Sequence, residues 1–322
     1  MSRPIRFEDV LDARDRIREF LPPTALVNYS ALDEAVGAHV LVKHEEQNPT
    51  HSFKARNGLS VLTALSVDER ERGVVAATRG NHGLGLAWAG RQLAVPVTIC
   101  VPLGNSETKN AMIRDLGAEL VEEGADYDES VTVMNRLVHE RGLRAVHSTN
   151  EPLVIAGAGT LTLEIVEDAK ELDAIVLAVG GGSQSVGALT VVRELRPQVQ
   201  VYGVQAAAAS AIHDSWHVKR PLTRPSADTF ADGLATRMTY EMTFPALCEG
   251  LTDFVAVTET EIADAIRLLH EKAQTTAEGA GAAGLAGLLR LGPRLAGKNV
   301  AIVVSGSNID DELLRRVLDG SL

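Results

Sequence analysis

The chain has 322 residues, 45% of them hydrophobic, and a formal net charge of −12. That length suits two lobes better than one core, and the negative charge argues against nucleic acid or an anionic membrane surface as partner. No stretch reaches the about 20 uncharged apolar residues of a membrane span.

In chain order, Met1 to Phe20 is charged and lacks the apolar centre of a signal peptide, so a cytoplasmic protein is expected. A helix is expected over Phe7 to Phe20, closed by Pro22-Pro23, then a strand from His39 to His44. Strands follow near 73–77, 97–101, 118–122 and 144–147, separated by helices, and a second set falls near 174–179, 199–204 and 299–304. Strands alternating with amphipathic helices mark an α/β protein with parallel sheets. Arg220 to Asp232, with Pro221 and Pro225, reads as a loop. Cys100 and Cys248 read as buried free thiols. Gly279-Ala280-Gly281-Ala282-Ala283-Gly284 has the dinucleotide spacing but follows a helical stretch, Ile262 to Glu278, so it reads as a small-residue helix start packed on a sheet. Glu278 either caps that helix or faces the site.

Four segments carry chemistry. His51-Ser52-Phe53-Lys54-Ala55-Arg56-Asn57-Gly58 puts a lysine at the head of a helical run after Pro49-Thr50. An interior lysine is costly unless paired, neutralised or covalently used. Forming an imine with an aldehyde uses it, which points to pyridoxal phosphate. Thr78-Arg79-Gly80-Asn81-His82-Gly83-Leu84-Gly85 follows an apolar strand and opens a helix, so it gathers free backbone N–H groups as an anion site. Gly180-Gly181-Gly182-Ser183 follows Ile175 to Val179 as a phosphate cradle on the same physics. Val300 to Val304 leads to Ser305-Gly306-Ser307-Asn308, a hydroxyl at the carboxyl end of a strand, where open parallel sheets gather ligands.

In this order the segments resemble the fold-type II pyridoxal-phosphate enzymes, most closely the threonine/serine dehydratase branch. Pro49 to Asn57 is similar to its P-T-G-S-F-K-x-R-G, and Thr78 to Gly85 to its S-x-G-N-H-A-Q-G. Val154 to Thr160 resembles V-I-A-G-Q-G-T, and Ala231 to Ala235 resembles A-D-G-I-A. The likeness runs from about Pro23 to Asn308. It implies two open, twisted, mostly parallel sheets flanked by helices, with the cofactor between lobes. Residues 50–150 would form the small lobe, and 1–49 with 151–322 the large one. It also implies a homodimer.

The resemblance assigns Lys54 to the cofactor aldehyde and then to the substrate's α-proton. Phe53 lies beside the cofactor or is an ordinary core aromatic. Asn81 bonds the ring hydroxyl, and Gly180, Gly181, Gly182 and Ser183 hold the phosphate. Ser52, Thr78, Arg79, Gly80 and His82 surround the carboxylate of a small amino-acid substrate, although helix capping suits His82 better. Ser305 faces the pyridine nitrogen. A neutral hydroxyl there draws less charge into the ring than a carboxylate, which favours elimination or β-replacement over transamination. The expected reaction is loss of the β-hydroxyl of L-threonine, L-serine or a close analogue, giving a 2-oxo acid and ammonia. A serine or hydroxyaspartate racemase and a β-replacement synthase are the alternatives, with a non-catalytic ligand sensor more remote.

Several positions depart from the pattern. Arg79 stands where the dehydratases have a small residue and serine racemases a catalytic serine; it reads a second carboxylate or points into solvent. Leu84 replaces a glutamine, and His51 and Asn57 replace glycines. Gln205 stands where some relatives place a cation-binding glutamate, and an amide is a poorer ligand for a hard cation, so no metal is expected. His44-Glu45-Glu46 has no second histidine at metal spacing.

Overall fold

The computed structural model describes residues 3–322. Its strands are β1 (Leu26–Asn28), β2 (His39–His44), β3 (Val74–Ala77), β4 (Val97–Val101), β5 (Glu119–Glu122), β6 (Arg144–Ala145), β7 (Ala174–Ala178), β8 (Gln200–Ala206), β9 (Asp253–Val257) and β10 (Asn299–Val304). They form a six-stranded sheet in the order β1-β2-β10-β7-β8-β9 and a four-stranded sheet in the order β5-β4-β3-β6. Every pairing is parallel except β1 with β2.

The central strands are largely apolar, Val-Thr-Ile-Cys-Val in β4 and Val-Ala-Ile-Val-Val within β10, and these residues are buried. Parallel strands need long crossovers, and the intervening helices cover both faces of such sheets. Ligand crevices form at the carboxyl ends of parallel strands, where the order reverses. In the small sheet that point lies between β3 and β6, and the asparagine segment follows β3. In the large sheet β7 and β10 are neighbours, and the glycine segment and Ser305 follow them.

Two strands were not anticipated. β1 has three residues, too few to show a period, and is held at the sheet edge by antiparallel pairing with β2. β9 carries one short apolar run, Phe254 to Val257, that takes strand form beside β8. The first helix ends at Ile17 rather than Phe20, with the next residues turning back onto the Ile17 carbonyl. The stretch expected to be helical to Glu278 is a helix over Glu259–Ala273, opened by a Thr258/Glu261 capping box and closed at Gln274, whose φ is 51°. Glu278 therefore stands outside it, at the head of the next helix, Gly279–Leu291.

That helix starts with small residues because it lies directly on the sheet. A Cβ at Gly281 would meet the Gly306 carbonyl oxygen at 2.3 Å, and one at Gly287 would meet Val204 at 2.1 Å. The helix Lys54–Leu62 packs as closely on the helix Asn81–Leu93, since a Cβ at Gly58 would lie 2.2 Å from the Gly85 oxygen. These contacts leave no room for side chains, and they set the lysine and asparagine segments against each other. Cys100 is buried and Cys248 partly buried, both as free thiols.

Candidate active site

The lysine segment is pinned to the end of β10. Phe53 N–H donates to the Ser305 carbonyl at 3.0 Å, Ser307 N–H donates to the His51 carbonyl at 3.0 Å, and Ser52 bridges Gly306. The turn requires a left-handed residue at 51, where His51 has φ 53°; the dehydratase pattern has glycine there because glycine takes this region without a Cβ penalty. Lys54 then begins the helix. Its Nζ lies 4.6 Å from the centre of the Phe53 ring and forms no ion pair among the described residues. Burial lowers this amine to about 8, and Glu278 opposes the shift. Such a lysine is far easier to deprotonate than a surface one, as covalent attachment of an aldehyde requires. Phe53 is both beside the amine and part of the apolar core.

On the asparagine segment, the Thr78 hydroxyl accepts from Gly80 N–H at 3.1 Å, which shapes the turn into the helix. Asn81 makes two contacts with distant residues. Its Nδ2 donates to Glu278 Oε1 at 2.7 Å, and its Oδ1 accepts from Asn308 Nδ2 at 2.7 Å. His82 does not cap the helix. It is buried, its Nε2 lies 3.2 Å from the Val146 carbonyl, and burial pushes its pKa down to about 3. The ring is therefore neutral and donates from Nε2, which leaves a buried Nδ1 without a partner among the described residues. Arg79 is exposed and has no ion pair among the described residues. Lys109 lies along Gly80 and pairs with Asp232 at 2.7 Å, joining the two sheets' segments beside the asparagine turn.

The glycine segment is a turn that admits no side chains. A Cβ at Gly180 would sit 2.1 Å from the Gly233 oxygen, and one at Gly181 would sit 1.9 Å from Thr149 Oγ1; Gly182 has φ 98°. The Thr243 hydroxyl donates to the Gly181 carbonyl at 2.7 Å, which fixes that peptide. Ser183 then opens a 13-residue helix. In its first turn Gln184 Nε2 and Ser185 Oγ are buried without a partner among the described residues. Unpaired donors at a helix N-terminus suit a phosphate, so this segment fits the phosphate end of pyridoxal phosphate. Ser305 is buried, and its hydroxyl makes no hydrogen bond among the described residues. It is free to meet a ring nitrogen.

The glycines of the remaining motif matches act as packing, while Thr160 and Asp232 of the same segments meet Arg56 and Lys109. Gly157 and Gly159 lie against Arg56 with Asn57 and against Val10 with Gly187, and the Ala231–Ala235 segment supplies the Gly233 contact. Gln205 is turned inward to structure: its Oε1 accepts from Ile212 and His213 N–H and its Nε2 donates to Thr236. Among the described residues, no group of three or more His, Cys, Asp or Glu is placed to hold a metal ion. No helix there is long and apolar enough to cross a membrane.

A buried lysine amine, a glycine turn at a helix start and a hydroxyl at a strand end together fit pyridoxal phosphate, and the chain belongs to the pyridoxal-phosphate dependent enzyme family, which matches residues 17–306. It is 38% identical over 318 residues to an L-threonine ammonia-lyase of Thermotoga maritima, covering 99% of this chain and 79% of the relative. It is 31% identical to an L-threo-3-hydroxyaspartate ammonia-lyase of a Pseudomonas species, with 98% of each chain covered. Among solved structures, a serine racemase from Dictyostelium discoideum superposes with a TM-score of 0.90 at 29% identity, covering 95% of this chain and 99% of that one.

Sequence reasoning left Glu278 open and gave no role to Asn308, Thr149 or Thr243. Each lies far along the chain from what it touches; Asn81 and Glu278 are separated by 197 positions.

Proposed function

We propose that this chain is a pyridoxal-phosphate-dependent ammonia-lyase that removes the β-hydroxyl of L-threonine, L-serine or a close β-hydroxy amino acid, giving a 2-oxo acid and ammonia. The observation that carries the reading is the Lys54 amine, lowered to about 8 by burial and without an ion pair among the described residues, on a segment pinned by hydrogen bonds to the strand end that bears Ser305. The bound cofactor supplies an electron sink for the charge left at the substrate's Cα. Lys54 would hold it through its Nζ, and the same neutral amine would be the base for the substrate's α-proton. The N–H groups of Gly180 to Ser183 would hold the phosphate, Asn81 would donate to the ring oxygen, and the Ser305 hydroxyl would meet the ring nitrogen. Ser52, Thr78, Gly80 and His82 border the place of the substrate carboxylate. A neutral hydroxyl at Ser305 rather than a carboxylate would favour expulsion of the β-substituent.

The proposal includes a small lobe of residues 50–150 and a large lobe of 1–49 and 151–322, supported by the division of the strands between two sheets. It includes a homodimer in the cytoplasm, as the dehydratase resemblance implies. A second reading, racemisation, is favoured by the likeness to the serine racemase. Against it stands Arg79, which offers no hydroxyl for proton transfer on the opposite face.

The test is 2-oxo acid release from the loaded protein with L-threonine, L-serine, D-serine and L-threo-3-hydroxyaspartate, alongside chiral analysis of the remaining serine. Release from the L-β-hydroxy amino acids supports the lyase. D-serine formation without 2-oxo acid replaces it with the racemase. If hydroxyaspartate is preferred and Arg79→Ala removes that preference, the free guanidinium reads the second carboxylate.

A further inference from the structure

The Asn81 side chain is held from both ends by residues of the other sheet's segments. An asparagine amide has two N–H donors and one carbonyl acceptor. One N–H goes to Glu278 Oε1 at 2.7 Å, and the carbonyl takes Asn308 Nδ2 at 2.7 Å. Asn308 is itself oriented, because its Nδ2 also donates to the Thr50 carbonyl at 2.9 Å. Rotating the Asn81 amide by half a turn would set its NH2 against the Asn308 NH2 and its oxygen against the Glu278 carboxylate, losing both bonds and adding two repulsions. One N–H of Asn81 remains unassigned.

Glu278 is placed for this task rather than for capping. It stands at the N-cap of Gly279–Leu291 without a side-chain capping bond. Its own N–H donates to the Gly306 carbonyl at 3.0 Å, and its Oε1 lies 2.8 Å from where a Cβ on Gly306 would be. The residue is thus fixed to the turn that follows Ser305, while its carboxylate reaches across to the asparagine segment.

We propose that Glu278 and Asn308 are positioning residues that lock the Asn81 amide, so that its remaining N–H is held toward the cofactor's ring oxygen. The inference rests on the placement of Asn81 at that oxygen in the proposed function. It gives a buried acid beside the asparagine turn a role: burial raises Glu278 to about 7, and its ionised form accepts and never donates, which fixes the end of the Asn81 amide that faces it. It also couples cofactor binding to the approach of the two sheets' segments, since the lock exists only when they meet.

The experiment measures pyridoxal-phosphate affinity of the cofactor-free protein through the visible absorbance of the bound cofactor, with thermal melts of the same samples as a folding control. Asn81→Ala, Glu278→Ala and Asn308→Ala are each expected to raise Kd about tenfold, the equivalent of about 1.4 kcal/mol. The double variant Asn81→Ala/Glu278→Ala is expected to bind no more weakly than Asn81→Ala alone, because a lock with nothing to hold has no effect. Glu278→Gln, which keeps an acceptor oxygen, is expected to return Kd to within about threefold of wild type. If Glu278→Ala fails to fold, Asn308→Ala and its double variant with Asn81→Ala carry the same comparison. A double-variant Kd equal to the product of the single effects overturns the lock while leaving Asn81 at the ring oxygen. An unchanged Kd in Asn81→Ala overturns both the lock and that placement.

Discussion

Replacing Arg56 by methionine should destabilise the fold far more than the loss of one side chain suggests. Arg56 is buried and donates to both oxygens of Glu45, at 2.8 and 2.9 Å, and to both oxygens of Glu164, at 2.6 and 2.8 Å. It also reaches Thr160 and Thr24. Lys43 completes the group at 2.6 Å from Glu164, so two cations balance two anions inside the protein. Methionine fills most of the space but leaves two buried carboxylates facing one cation. Breaking a buried pair from one side costs about 3–5 kcal/mol, which in a chain of this size lowers the melting point by on the order of 10 °C.

The pH dependence adds a second check. Arg56 holds the fully buried Glu45 carboxyl below its ordinary value, against the burial that opposes it. In the wild type, Glu45 therefore contributes stability above its unfolded pKa that is lost only as pH falls through the depressed folded value. In the variant burial dominates and the folded pKa rises, so folding takes up a proton at neutral pH. The deficit should be largest near about pH 8 and shrink toward about pH 5, as linkage requires. Thermal melts of the two proteins across that range measure it. A loss below about 1 kcal/mol, or one independent of pH, would refute the reasoning, because the group would then be solvated or self-compensating.

Gly58→Ala should cost several kcal/mol, because its Cβ would meet the Gly85 oxygen at 2.2 Å and part the helices that carry Lys54 and Asn81; a melting point equal to wild type contradicts this packing. His51→Gly should be neutral or stabilising by up to about 1 kcal/mol, since it removes a side chain from a left-handed position; a loss larger than that in a denaturant titration would mean that the His51 side chain holds the turn. Cofactor capture by the cofactor-free protein needs the neutral amine of Lys54, so its rate should rise with a midpoint near pH 8. A midpoint near the ordinary lysine value, about 10.4, would show that the amine is solvated.

Much of this site was legible in the chain because its chemistry is local. Lys54, Asn81, Gly180 to Ser183 and Ser305 each sit where a turn meets a helix or a strand end, and such turns have recognisable residues. The helix and strand alternation was legible for the same reason, since β3, β4, β7, β8 and β10 are apolar runs long enough to stand out. β1 and β9 were not, because their strand form comes from the neighbour they pair with. The roles of Glu278 and Asn308 were hidden by distance along the chain, as was the balance of Arg56 with Glu164, which lies 108 positions away. His82 misled because a histidine at a helix start suits a cap, whereas the fold buries the ring against the Val146 carbonyl.

The most direct measurement of the central claim compares 2-oxo acid and ammonia release from L-threonine by the pyridoxal-phosphate-loaded wild type and by Lys54→Ala. The account predicts equal amounts of the two products from the wild type and none from the variant, which lacks both the anchor and the base. Undiminished release by Lys54→Ala, or no release from any β-hydroxy amino acid by the wild type, would contradict it.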